Sequence, residues 1–202
     1  MRIVFGCLFV SVLLLQACSS APNTTQYYLL NNYQALDEPS TKAPIGAQPM
    51  IKRQVRVSVS LAEYLNQPSL VMQVNTHQIH YSLFHVWAEP LLLGTTKSLL
   101  LDLNAQDHAL TFVDAQTAMR GEPSAHLDLQ IEYFHATSDS RVILSGRYRF
   151  AEGESTEILF AEPFAFEQNL RADGYEPSIV QMRHLVSDLA RDLVSRLEAG
   201  YP

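Results

Sequence analysis

The stretch His126-Leu127-Asp128-Leu129-Gln130-Ile131-Glu132-Tyr133-Phe134-His135 decides the fold. Leu127, Leu129, Ile131 and Tyr133 fall on alternate positions, the period of a strand with one buried face. Two more long strands follow. Arg141 to Phe150 carries Val142, Leu144, Tyr148 and Phe150, and Glu157 to Gln168 carries Ile158, Phe160, Phe164 and Phe166, interrupted by Pro163. Short polar turns such as Ala151-Glu152-Gly153-Glu154 predict antiparallel hairpins. The chain then changes period. Ile179, Met182, Val186, Leu189, Leu193 and Leu197 recur at helical spacing, with Arg183, Asp188, Arg191, Asp192 and Arg196 on the other face. Pro177 sits near the start of this helix and Gly200 at its end.

Upstream, Val55, Val57, Val59 and Leu61 alternate with Arg56, Ser58 and Ser60, the clearest half-buried strand in the chain. Leu70 to Val74, Gln78 to Tyr81 and Leu110 to Val113 read as short strands, and Tyr27 to Tyr33 as a first strand. Residues 34–49, with three prolines and a glycine, read as a long loop. Trp87 to Asn104 reads as a helix. Pro90 is tolerated only in its first turn, so the helix is expected to begin close to Trp87 and to bury Leu92, Leu99, Leu100 and Leu103. The expected class is α/β: a single domain over residues 27–202, with a mixed, largely antiparallel sheet flanked by two main helices in a three-layer α/β/α arrangement.

The 202 residues carry 14 basic and 21 acidic side chains, a net charge of −7. Without a basic run, nucleic acid binding and a polybasic membrane patch are both disfavoured. His77, His80 and His85 cluster, but His77 and His80 point to opposite faces of a strand, so no metal site is expected. No cofactor is implied. No glycine-rich phosphate loop or nucleophile elbow occurs, and the pattern gives no positive sign of an enzyme.

The amino terminus supplies an address. Arg2, the apolar run Ile3 to Leu15 and the small Ala17 make the three-part layout of a secretory signal over residues 1–17. Cys18 follows directly. Leu15, Ala17 and Cys18 resemble the lipobox of bacterial lipoproteins, with Gln16 a departure; the alternative is an ordinary signal whose cysteine is incidental. The resemblance implies acylation of Cys18, and Ser19 after it implies export to the periplasmic face of the outer membrane. Cys7 would leave with the leader, so the mature domain has no thiol pair. Residues 18–26 read as a lipidated tether of roughly 26–29 Å at full stretch over its last eight residues.

Four further patches resemble the PqiC (YmbA-type) family of ABC-type transport auxiliary lipoproteins, associated with membrane integrity. They are Tyr27-Tyr28-x-Leu30; the strand Val55-x-Val57 leading to Tyr64-Leu65-x-x-Pro68-x-x-Val71; Trp87-Ala88-Glu89-Pro90-Leu91; and Gly174-Tyr175. Val86 departs from the pattern, which often has Arg there. Read from the residues alone these patches are structural: Trp87 and Pro90 set the start of a helix, Glu89 caps its first turn, and Tyr64, Leu65 and Val71 pack the sheet. The resemblance implies a role beside an MCE-type (PqiB-like) channel protein that conducts lipid across the periplasm, with a homo-oligomeric ring of this chain as one mode of docking. Other readings are a stand-alone envelope-binding lipoprotein, or a periplasmic hydrolase whose pocket would join Ser, His and Asp. Intact-mass spectrometry of protein from envelopes is expected to show loss of residues 1–17 and acyl mass on Cys18. An unmodified Cys18 would contradict the anchor.

Overall fold

The computed structural model describes residues 24–31, 53–106, 110–116, 125–153 and 158–200. The leader, Cys18 and the loop 34–49 lie outside them. The strands are β1 (Gln26–Tyr28), β2 (Arg53–Leu61), β3 (Ser69–Asn75), β4 (Gln78–Trp87), β5 (Leu110–Asp114), β6 (Ala125–Thr137), β7 (Arg141–Glu152) and β8 (Ile158–Asn169), and the helices are α1 (Leu91–Ala105) and α2 (Tyr175–Gly200).

The stretch that sets the reading, β6, is the hub of the eight-stranded sheet. One of its edges is taken throughout by β7, antiparallel from Ala125↔Glu152 to Thr137↔Arg141, and β8 extends β7. Its other edge is shared. The lower part pairs parallel with β2, from Val55↔Ala125 to Leu61↔Ile131. The upper part pairs parallel with β3 at Met72↔Ala136 and Gln73↔Thr137. Beyond β2 lies β5, parallel to it; beyond β3 lie the antiparallel β4 and then β1, parallel to β4. The sheet therefore splits on one side of β6 at the level of residues 131–136. The two hairpins after residue 125 are antiparallel, as the sequence pattern predicts.

A β-bulge at the split corrects the expected facing of Tyr133. The register shifts between Ile131 and Tyr133, and the extra residue moves every later side chain to the opposite face. Tyr133 is 47% exposed, and Phe134 takes the core position at 1%. Gly146 stands opposite Ile131. A Cβ on Gly146 would lie 2.1 Å from the Gln130 carbonyl oxygen, so the bulge requires glycine there.

The inner face carries Val55, Val57, Leu127, Leu129, Val142, Leu144 and Phe150, all fully or almost fully buried. The six apolar positions predicted for α2, from Ile179 to Leu197, are buried against it. The outer face is polar, with Asp128–Arg149 and Glu167–Arg141 paired across neighbouring strands. The α/β class with a mixed sheet and two helices stands, but the helices share one face, making two layers where three were expected. The charged outer face leaves nothing for a helix to bury. Contact between the helices fixes this arrangement. Arg183 was expected on the polar face of α2, yet it grips Asp102 of α1 through both guanidinium nitrogens at 2.6 Å, and Ser187 adds a 2.8 Å bond to the same carboxylate.

The start of α1 also differs from the expectation. Trp87 ends β4, and Pro90 stands at the N-cap with ψ 132°. Proline disfavours helical geometry in the residue before it, so the helix cannot begin earlier. Its phase shifts accordingly. Leu91, Leu99 and Leu103 are buried, while Leu92 and Leu100 are only half-buried. The buried Thr95 and Ser98 hydroxyls donate back to carbonyls four residues earlier, satisfying them within the helix. No described helix is long and apolar enough to cross a membrane. Gly146→Ala is expected to cost about 3 kcal/mol, the upper range for overpacking, read from chemical denaturation. A loss within experimental error would mean that the bulge accommodates a side chain.

Candidate functional site

Where β2 leaves β6, the chain makes a short 3₁₀ turn at Glu63–Leu65 before β3 joins. The Ala62 N–H still donates to the Ile131 carbonyl at 2.8 Å, and the Trp87 N–H donates to the Pro68 carbonyl at 2.7 Å. These bonds hold the connection against the split. Above it, the inner sheet face, the β4–α1 junction and the start of α2 enclose a cavity of about 270 Å³. Leu65, Leu70, Trp87, Leu91, Phe134, Ala136 and Met182 form its wall, each nine-tenths or more buried. Ser138, Ser140, Asp173 and Gly174 form an exposed mouth.

The sequence patches converge here. Leu65, Val71, Trp87, Leu91, Gly174 and Tyr175 come from three separate motif patches, and all line the cavity. The fourth patch abuts it: the Tyr28 ring lies 6.4 Å from Tyr175, and the Tyr28 carbonyl accepts the Ala88 N–H at 2.7 Å. Gly174 has φ +118°, a conformation that favours glycine, and its carbonyl accepts the Ser178 hydroxyl at the start of α2. Pro68 and Pro90 shape the surrounding backbone. Glu89 does not cap α1, which has no side-chain cap; it pairs with Lys97 at 2.6 Å.

Tyr64 departs from its neighbour Leu65. It lies against the outer face, where its hydroxyl donates to the Glu132 carbonyl and its ring meets His135 edge-on at 5.9 Å. Tyr81 donates to the Tyr64 carbonyl, and the Tyr133 ring also meets His135 edge-on, at 6.2 Å. His135 is thus a buried imidazole. Burial holds the His135 pKa below its ordinary value of 6.5, opposed in part by the hydrogen bond to the Ala136 carbonyl. Burial, with Tyr133 and Tyr81 nearby, pushes the Tyr64 phenol well up.

The wall chemistry is sparse. The Ser178, Thr137 and Ser138 hydroxyls each donate to a backbone carbonyl. Among the described residues Asp173 is the one charged side chain that lines the cavity, and no histidine, lysine or arginine does. Among the described residues the Ser–His–Asp convergence that a hydrolase pocket would need does not line this cavity. His85 stacks on Tyr175 at 3.7 Å and meets the Tyr28 hydroxyl at 2.8 Å, far from a shared focus with His77 and His80. Among the described residues no group of three metal-ligating side chains converges. Sequence reading missed Phe134, Ala136 and Met182 as partners of the motif residues. A cavity is missing volume between elements, and no local pattern encodes it.

The architecture is that of a two-layer α/β domain with an apolar cavity at a split sheet edge. The chain belongs to the family of ABC-type transport auxiliary lipoprotein components, which it matches over residues 33–194. No curated relative matches. Among solved structures, the crystal structure of an uncharacterized protein is similar at TM-score 0.68 and 19% identity, over 86% of this chain and 99% of the other. Protein XCC0632 from Xanthomonas campestris is similar at TM-score 0.62 and 11% identity, over 75% of this chain and 87% of the other. At these identities the likeness concerns the fold.

Because the neutral form of His135 is favoured in the fold, the unfolded chain takes up a proton first as pH drops below 6.5. Its contribution to stability is intact above that pH and is lost as pH falls toward the lowered folded value. Melting curves are expected to show stability falling on acidification, with a His135 share of at most about 1.4 kcal/mol per pH unit. His135→Gln should flatten that slope; an unchanged slope would contradict the assignment.

Proposed function

We propose that this lipoprotein is the outer-membrane-anchored subunit of an MCE/ABC-type intermembrane lipid transport system, supporting envelope integrity without chemistry of its own. The observation that carries the reading is the match to the auxiliary lipoprotein family over residues 33–194, behind a lipobox-like leader ending at Cys18. Acyl chains on Cys18 hold the chain to the inner leaflet, since two or more chains anchor stably where one does not. The tether reaches at most roughly 26–29 Å over eight residues, so residues 27–202 stay close to the bilayer. There the domain docks the outer end of a PqiB-like periplasmic channel. Docking on a ring-shaped partner favours a homo-oligomeric ring.

The motif residues Tyr64, Leu65, Pro68, Trp87, Ala88, Glu89, Pro90 and Leu91 act structurally in this reading. They build the cavity wall, its backbone frame and the packing behind it. Affinity purification of the full-length protein from detergent-solubilised envelopes is expected to recover an MCE-type channel component, and Cys18→Ala to lose it from the membrane fraction. Failure of the wild type to recover such a partner, with unchanged envelope lipid handling on deletion, would overturn the proposal.

A further inference from the structure

We infer that the cavity beneath Trp87 is a binding site for a single phospholipid acyl chain, which enters past Asp173 and Ser138. The inference rests on the lipid-transport reading above and adds a ligand to it. The first observation is chemical. Leu70, Phe134, Ala136 and Met182 present hydrocarbon, and of the hydroxyls that line the cavity those of Thr137, Ser138 and Ser178 are already bonded to backbone carbonyls. Such a wall favours a hydrocarbon ligand over a polar one.

Charge selects which part of a lipid can enter. Among the described residues no cationic side chain lines the cavity, and Asp173 sits at its mouth. A phosphate would lose its hydration without an Arg or Lys to replace it, so the headgroup stays outside. Size agrees. An apolar cavity of ~150 Å³ holds benzene; by proportion, about 270 Å³ holds roughly ten hydrocarbon carbons. That is most of one acyl chain and far less than a whole phospholipid. Placement agrees too. β1, which the tether feeds, brings Tyr28 to within 6.4 Å of the cavity residue Tyr175. The described chain therefore begins beside the cavity.

The test uses the full-length lipoprotein in living cells fed radiolabelled phosphate. Met72→p-benzoylphenylalanine puts a photocrosslinker on a half-buried cavity position; Ile158→p-benzoylphenylalanine puts one on a half-exposed position of β8. The acyl chains of Cys18 carry no phosphorus, so label on the protein cannot come from its own anchor. Light-dependent label at position 72 and none at position 158 is expected. Label at neither, or equally at both, overturns the site. Ala136→Phe and Leu170→Trp, added to the position 72 variant, fill the cavity. In whichever of them melts cooperatively, the label is expected to vanish; its persistence also overturns the site. Recovery of the channel partner without label would sink the cavity assignment alone. Label without any channel partner would sink the transport reading and leave the cavity standing.

Discussion

One edge of β6 has to satisfy its backbone groups with two different strands, and the rest of the molecule is arranged around that division. Buried N–H and C=O groups must find partners. β2 supplies them as far as Ile131, and β3 resumes at Ala136. Between these points β6 bulges, which turns Phe134 inward, and the partner strand can follow only because Gly146 has no side chain. The connection from β2 to β3 must cross this gap, and it does so with the turn that carries Tyr64 to one face and Leu65 to the other. The cavity is the volume that the divided edge leaves above the split.

The two helices close that volume from a single side. α1 covers β2 and β5, α2 covers β6 to β8, and the Asp102–Arg183 pair joins them with both partners about five-sixths buried. A charge pair in such a place adds geometric definition more than net stability, because desolvation offsets much of its attraction. Here it sets the spacing between helices whose near ends frame the cavity. The outer face needs no cover, since its exposed cross-strand ion pairs are already solvated.

Periodic features were legible in the sequence. The alternation from Leu127 to Ile131 and over 141–150 and the helical stripe from Ile179 to Leu197 each rest on several residues, and each lies where it was read. Features set by one residue were not. Pro90 moved the start of α1 from Trp87 to Leu91, and one extra residue in β6 exchanged Tyr133 for Phe134 in the core. The layer count depended on which face of the sheet was polar, a sum over several strands. Of the site, the motif patches were visible as separate segments. Their convergence was not, because the parallel pairing of β3 with β6, which brings Leu70 to Phe134, spans more than sixty residues with no local signal.

The central claim is that this lipoprotein works on the same lipid route as an MCE-type channel. The most direct measurement is outer-membrane permeability in strains lacking this chain, lacking the channel component, and lacking both. The account predicts that the double deletion is no more permeable than the stronger single deletion. Additive defects in the double deletion would place the two proteins on separate routes and contradict it.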